Sequence, residues 1–156
     1  MDFTEASGAS TETLSAEADA YVRGDGYQGI NYGAEPSLII KNVADPDFDR
    51  RAYIRFDLSG YTNAVNSATL RLKVESNDGL SNLDFSMVSN DSWDESTITW
   101  NNSPSVGSLV STVAPPAAGQ WLELDLTSQV NTEISGDGLI TIHVENPIEE
   151  AGMLKF

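Results

Sequence analysis

The stretch that decides the fold is Arg50-Arg51-Ala52-Tyr53-Ile54-Arg55-Phe56-Asp57-Leu58. Its apolar and polar residues alternate, which is typical of a β-strand with one buried and one exposed face. The alternation predicts an inward face made of Ala52, Ile54, Phe56 and Leu58. It predicts an outward face made of Arg51, Tyr53, Arg55 and Asp57. Two arginines with a tyrosine between them make this outward face a candidate ligand-binding platform. The alternative is a solvated sheet whose arginines pair with neighbouring acids.

Similar short alternations occur along the rest of the chain, separated by turn residues. They predict further strands near residues 20–23, 38–41, 67–75, 83–88, 107–113, 120–125, 139–144 and 153–156. In the first of these, Ala20 and Val22 are expected to point inward and Tyr21 and Arg23 outward. One helical turn is predicted at 127–131, capped by the side chain of Asp125 or Thr127.

About nine short strands without a long helical period indicate an all-β protein. We predict an antiparallel β-sandwich of jelly-roll type, whose strand order the sequence does not specify. Residues 1–18 are rich in Ser, Thr, Ala and Glu and are interpreted as a linker or flexible N-terminal segment. Residues 19–156 are interpreted as the folded module.

The charge of this 156-residue chain is strongly negative and unevenly distributed. Its net charge is −16, and it contains no cysteine. A negative protein is a poor general partner for nucleic acid or an anionic membrane, and no apolar run is long enough for a membrane helix. Seven of the eight basic residues nevertheless fall within residues 20–73, against six acids. This concentration suggests a basic surface, although neighbouring strands can also collect basic residues by chance.

Two loops contain candidate ligands. The glycine-rich loop 24–33 displays Tyr27 and Asn31, and it suits either a binding loop or an ordinary connection. Asp45, Asp47 and Asp49 alternate in the next loop, where they could supply oxygen ligands to calcium or belong to a solvated loop. No cofactor is required by the sequence, and a structural calcium ion stays an open alternative.

Catalytic patterns are absent from the sequence. His143 is the single histidine, which disfavours a transition-metal site or a nucleophilic triad, and we expect it to face solvent or a polar patch. Neither a phosphate loop nor a nucleotide fingerprint occurs. Trp93 and Trp100 could stack on sugar rings or close one end of the sandwich. The sequence therefore predicts a protein that is not an enzyme.

Five ordered motifs resemble those of the DNRLRE domains, which include carbohydrate-binding module family 96. The resemblance runs from about Asp19 to the end of the chain. The motifs are Asp19-Ala20-Tyr21-Val22-Arg23, Asn31-Tyr32-Gly33, the strand at 51–58, Ser67-Ala68-Thr69-Leu70-Arg71-Leu72, and the run from Trp93 to Pro104. These are bacterial and archaeal extracellular modules, and family 96 is found attached to alginate lyases.

The resemblance implies a non-catalytic module that binds an acidic polysaccharide, with alginate favoured. It further implies an attached catalytic domain in the same chain and a secreted or cell-surface location. The implied ligand-binding residues are Arg23, Tyr27, Asn31, Lys41, Arg51 and Arg55, with Arg50, Arg71 and Lys73 as second choices. The tryptophan motif, by the same resemblance, is structural.

Other functions stay open at the level of sequence. The chain could be a structural spacer or adhesion domain of a cell-surface protein, in which case acids neutralise its basic residues. It could also be a polysaccharide lyase that uses Tyr with Arg or Lys. Members of the family usually continue past a strand like 153–156 into a final strand. We therefore expect either a piece of a longer chain or a sheet with an open edge.

Overall fold

The computed structural model describes the backbone of residues 1–5 and 11–156, and the side chains of residues 1 and 11–156. The described residues form twelve β-strands, one α-helix and two 3-10 helices, the latter at Asp25–Tyr27 and Pro46–Phe48. The strands are β1 (Asp2–Glu5), β2 (Thr11–Thr13), β3 (Ala18–Arg23), β4 (Ile39–Ile40), β5 (Arg50–Asp57), β6 (Val65–Lys73), β7 (Ser76–Asn77), β8 (Leu83–Val88), β9 (Val106–Val113), β10 (Trp121–Asp125), β11 (Leu139–Glu145) and β12 (Leu154–Lys155). The helix is α1 (Thr127–Ile134).

The strands assemble into three antiparallel sheets. The orders are β10-β6-β1-β2, β3-β5-β11-β8-β9 and β4-β12-β7. The main core combines Phe56, Phe85 and Ile142 of the five-stranded sheet with Leu70 and Leu122 of the four-stranded sheet, all 3% exposed or less. The predicted antiparallel β-sandwich is therefore confirmed.

Strand β5 occupies the position in the fold that its alternation predicts. It pairs with β3 on one side and with β11 on the other. Its predicted inward residues, Ala52, Ile54, Phe56 and Leu58, all belong to the main core. One face of β5 therefore packs in the main core, as predicted.

The sequence predicted that the second face of β5 is exposed to solvent. In the structure this face is covered. Tyr53 is 0% exposed and packs in a second apolar cluster with Val22, Trp93 and Ile98. The segment 93–104 lies over this face, and the Tyr53 hydroxyl donates to the carbonyl of Pro104 at 3.2 Å. The alternation could not reveal this cover, because a strand covered on both sides can still carry polar groups on its second face when they find partners.

Strand β3 shows the same two-sided burial. Its residue Tyr21 lies opposite Ala52 and belongs to the main core, whereas Ala20 and Val22 belong to the second cluster. The predicted inward and outward faces of β3 were therefore wrong. Only Arg23, at the end of the strand, has the predicted partial exposure. Small residues and a tyrosine give no clear sign of which face meets the larger core.

The segment 1–18 contains two strands, which differs from its interpretation as a linker. Strand β1 pairs with β6 and β2, and Met1 and Leu14 exchange two hydrogen bonds of 2.7 and 2.8 Å. Residues 6–10 lie outside the described part of the chain. Sheet pairing uses backbone groups, so a polar segment with little apolar periodicity can still add strands to a sheet.

The helix and the last strand complete the fold. Helix α1 is longer than the predicted turn. Its N-cap residue is Leu126, which makes no side-chain cap, in place of the predicted Asp125 or Thr127; the Asp125 carboxylate accepts from the Thr127 backbone N–H at 2.9 Å. Strand β12 lies between β4 and β7, so both of its edges are paired.

No helix in residues 1–5 and 11–156 is long and apolar enough to cross a membrane.

Candidate functional site

Three cationic side chains lie in one row across neighbouring strands. Arg23 of β3 is directly opposite Arg50 of β5, and Lys41 forms a β-bridge with Arg50 on the other side. Residues opposite each other in an antiparallel pair share one face, so all three side chains point the same way. Like charges placed in this way destabilise a sheet. Two of the three also hold the loop before β5, since Arg23 Nε donates to the carbonyl of Asp47 at 2.7 Å and Arg50 Nη1 to that of Phe48 at 3.0 Å.

Exposed aromatic rings lie between these cations. The guanidinium carbon of Arg23 is 3.3 Å from the ring centre of Tyr27 and 5.3 Å from that of Phe48. The Lys41 ammonium is also 5.3 Å from the Phe48 ring centre. Tyr27 and Phe48 are 36% and 41% exposed, so both rings support the cations and still meet solvent. Phe48 was not among the predicted ligand-binding residues, although a lone phenylalanine among acids in a surface loop is a signal that the sequence contains.

A pocket of about 210 Å³ adjoins this row. Arg50 and Arg51 are the first two residues of β5 and point to opposite sides of the strand, yet both line the pocket at the strand's end. The Arg51 guanidinium lies 3.8 Å from the ring centre of Trp100, which forms a further wall. The residues that line it are Lys41, Asn42, Asp49, Arg50, Arg51, Trp100, Glu145 and Asn146. We refer to Arg23, Lys41, Arg50 and Arg51, with Tyr27, Phe48 and Trp100, as the basic face.

The arginines of the pocket are incompletely paired. The Nε atoms of Arg50 and Arg51 are buried and have no hydrogen-bond partner. Among the described side chains, those of residues 1 and 11–156, no ion pair reaches Arg23, Lys41 or either pocket arginine. Burial, with the nearby charge of Arg23, lowers the pKa of Arg50. Arg50 does donate from Nη1 to the carbonyl of Phe48 at 3.0 Å. No described carboxylate forms an ion pair with either guanidinium at the pocket, so an incoming anion would supply the missing counter-charge.

Two acids moderate the charge of the pocket. Burial raises the pKa of Glu145, although the charge of Arg51 opposes this shift. Asp49 directs one carboxylate oxygen to the backbone N–H of Val43 at 2.9 Å. With three cations against these two acids, the pocket is the more basic part of a strongly acidic chain. It can therefore attract an anionic group that the rest of the surface repels.

Arg55 and Asn31, two of the predicted ligand-binding residues, are engaged within the fold. The Arg55 side chain is 13% exposed; its Nη1 donates to the carbonyls of Asp91 and Trp93, and its Nε pairs with Glu17 at 2.9 Å. The Asn31 amide donates to two carbonyls of the segment 93–104, at 2.8 and 2.7 Å. Both side chains thus hold this segment over the sheet. The structure does not bring them to the basic face.

The three alternating aspartates do not converge. Asp45 accepts from the backbone N–H of Asp47, Asp47 from that of Gly26, and Asp49 from that of Val43. No group of three or more potential metal-ligating side chains occurs in the described residues. The 3-10 helix at Pro46–Phe48 directs the carboxylates to different backbone groups, so their residues fit a loop-shaping role and do not form a calcium cage.

His143 differs from its predicted exposed position. Its side chain is 0% exposed, its ring centre lies 5.0 Å from that of Tyr53, and neither ring nitrogen has a hydrogen-bond partner. Burial, reinforced by the charge of Arg51, lowers the pKa of His143 to about 3. The imidazole is therefore neutral at physiological pH. It lies on the face of β11 that the segment 93–104 covers, where the Trp93 indole donates to Thr141, and no local sequence pattern predicts this cover.

The buried histidine leads to a prediction about pH. Between pH 6.5 and about 3 the unfolded chain binds a proton on His143 that the folded chain does not, so folding stability falls as pH falls through this range. This one group contributes a slope of up to about 1.4 kcal/mol per pH unit. Urea unfolding of His143→Leu between pH 7 and 4 is expected to show a shallower dependence than the parent chain. Equal slopes, or an imidazole NMR signal that titrates near pH 6.5, would contradict the prediction.

Fold and site together define a class of protein: a binding module that presents cations and aromatic rings from the end of a β-sandwich. Comparison with known families then identifies the family. The model of carbohydrate-binding module family 96 matches residues 10–156, and the chain belongs to that family. The recognition made from the sequence motifs is thereby confirmed, and the partner of the chain is a carbohydrate. A search of curated proteins finds no match.

Proposed function

We propose that the chain binds an acidic polysaccharide, with alginate favoured, on the basic face. The observation that carries this proposal is the pair of arginines, Arg50 and Arg51, that line a pocket beside the Trp100 ring without an ion-pair partner among the described side chains. A uronate residue has both groups that this arrangement calls for. Its carboxylate is an acceptor for guanidinium, and the apolar face of its sugar ring suits an aromatic surface.

The affinity would come from several weak contacts along one chain of sugar residues. An exposed ion pair contributes about 0–1 kcal/mol, so a single cation is insufficient. The row of Arg23, Arg50 and Lys41 offers successive cations, and Arg51 adds one at the pocket. A repeating polyanion suits this spacing because each additional uronate meets a further positive charge. Neutral glycans lack the carboxylates and would lose this contribution.

The biological role that we propose is targeting. A non-catalytic module of this family would hold an attached polysaccharide lyase on its substrate, outside the cell or at the cell surface. Binding that is weak per module suits this role, because the attached domain needs proximity together with release, and neighbouring modules add avidity.

The test is a calorimetric titration with polymannuronate, polyguluronate, polygalacturonate and a neutral glucan. The titrations are run at low salt and at about 0.15 M, where the Debye length is about 8 Å. We expect binding to the uronates alone, and we expect it to weaken by roughly tenfold at the higher salt because the contacts are between charges. Binding that salt leaves unchanged, or equal binding to the glucan, would contradict the proposal. Binding to none of the four would favour the structural spacer.

A further inference from the structure

A second aromatic and basic surface lies on the other sheet. Trp121 begins β10 and is 48% exposed, whereas Trp93 is 8% exposed. Along β10 exposed and buried residues alternate, and Leu122 and Leu124 supply the contacts with the core. The indole of Trp121 thus lies on the solvent side of its strand and does not pack in the core.

Two cations accompany this exposed ring. In the pairing of β10 with β6, Trp121 is directly opposite Lys73, and Glu123 is opposite Arg71. The Lys73 ammonium lies 5.2 Å from the Trp121 ring centre, and the Arg71 guanidinium carbon lies 4.7 Å from it. The Nε of Arg71 also pairs with Glu123 at 2.9 Å. We call Trp121, Arg71 and Lys73 the Trp121 patch.

Folding alone does not account for this arrangement. Strand β10 is at the edge of its sheet, where a lysine or another charge is enough to discourage pairing with a second molecule. A single exposed apolar side chain is ordinary on a protein surface, so the indole by itself indicates nothing. Its two cationic neighbours distinguish it from a lone exposed apolar residue. Two of the eight basic residues of a chain with net charge −16 lie against this one ring. Exposed ring and positive charge therefore occur together.

We propose that the Trp121 patch is a second binding site, which takes an anionic sugar residue. The apolar face of the sugar ring stacks on the indole. Its acidic group pairs with Lys73 and Arg71, while Glu123 keeps Arg71 oriented through Nε. The choice of an anionic glycan rests on the proposed function, but the site itself rests on separate residues of the four-stranded sheet. A module with sites on two sheets can bind two polysaccharide chains, or one chain twice, and gains avidity from this bivalency.

The experiment combines variants of the two sites. Arg50→Ala/Arg51→Ala disables the basic face, and Trp121→Ala or Lys73→Ala disables the patch. Each variant is titrated calorimetrically with a short oligomannuronate, a sulfated glucan and a neutral glucan. Leu109→Ala, which removes another exposed apolar side chain from the five-stranded sheet, is the matched control. Thermal melts check that each variant is folded.

We expect two equivalents of the oligouronate on the parent chain and on Leu109→Ala. We expect one equivalent on either site variant, and at least a tenfold loss of the remaining affinity when Trp121→Ala is added to Arg50→Ala/Arg51→Ala. Indole fluorescence in the Arg50→Ala/Arg51→Ala background should change on binding, and Lys73→Ala should remove that change.

Each failure has its own meaning. If Arg50→Ala/Arg51→Ala abolishes all binding and Trp121→Ala binds as the parent does, the patch is not a site and the proposed function stands. If neither set of variants changes binding, both proposals are wrong. Equal binding of the neutral glucan at the patch would overturn its assignment to an anionic sugar. A preference for the sulfated glucan over the oligouronate would assign the anion as sulfate.

Discussion

Arg51→Ala is expected to weaken binding of polymannuronate by about ten- to a hundredfold at low salt. Hydrogen bonds to a charged group contribute about 1.5–3 kcal/mol, and each 1.4 kcal/mol corresponds to a factor of ten in affinity. Arg51 lines the pocket, lies against Trp100 and has no ion-pair partner among the described side chains, so it is the side chain best placed to pair with a carboxylate. Calorimetric titration measures the change.

The same substitution should leave the fold nearly intact. It removes one cation–π contact of about 0.5–1 kcal/mol, and it also removes an unsatisfied buried donor, which offsets part of that loss. Lys155→Ala, outside the basic face, deletes one positive charge and controls for the general change in charge. Binding that falls equally in both variants would show that net charge, rather than the pocket, determines affinity.

Arg55→Ala is expected to reduce stability rather than affinity, with a loss of about 3 kcal/mol in the free energy of unfolding. Its guanidinium satisfies two carbonyls and one carboxylate while being largely buried. Removal leaves the two partly buried carbonyls without this charged donor, and leaving such acceptors unsatisfied costs about 1–3 kcal/mol. For a chain of this length, the melting temperature should fall by about 6–12 °C. Denaturant unfolding and calorimetry measure both quantities.

Glu17→Gln separates the ion pair from the buried hydrogen bonds of Arg55. The carboxylate of Glu17 is 46% exposed, so its replacement should cost less than about 1 kcal/mol. If Arg55→Ala were as stable as the parent and lost its affinity for uronates, Arg55 would be a ligand-binding residue, as the sequence motif implies. The two arginines of one strand thus have different expected effects. Substitution of Arg51 reduces affinity, and substitution of Arg55 reduces stability.

The sequence was a good guide wherever a strand has one large apolar face. The alternation of β5, β6 and β11 indicated the sandwich, because burial of every second side chain is a local consequence of the pleated backbone. The grouping of basic residues within 20–73 likewise anticipated the cationic row, since β3, β4 and β5 are neighbours both in sequence and in space.

Contacts between segments distant in sequence determined which side chains of the second face of β5 are buried. The cover over Tyr53 and His143 comes from a segment about 40 to 50 residues away in sequence, and no local pattern reports such packing. This cover turned an apparent platform of alternating arginines into one structural residue, Arg55, and one residue of a pocket, Arg51. The pattern of residues along the chain specified strands, family and charge. The tertiary structure alone selected which cations stay accessible, because accessibility depends on which distant segment lies over them.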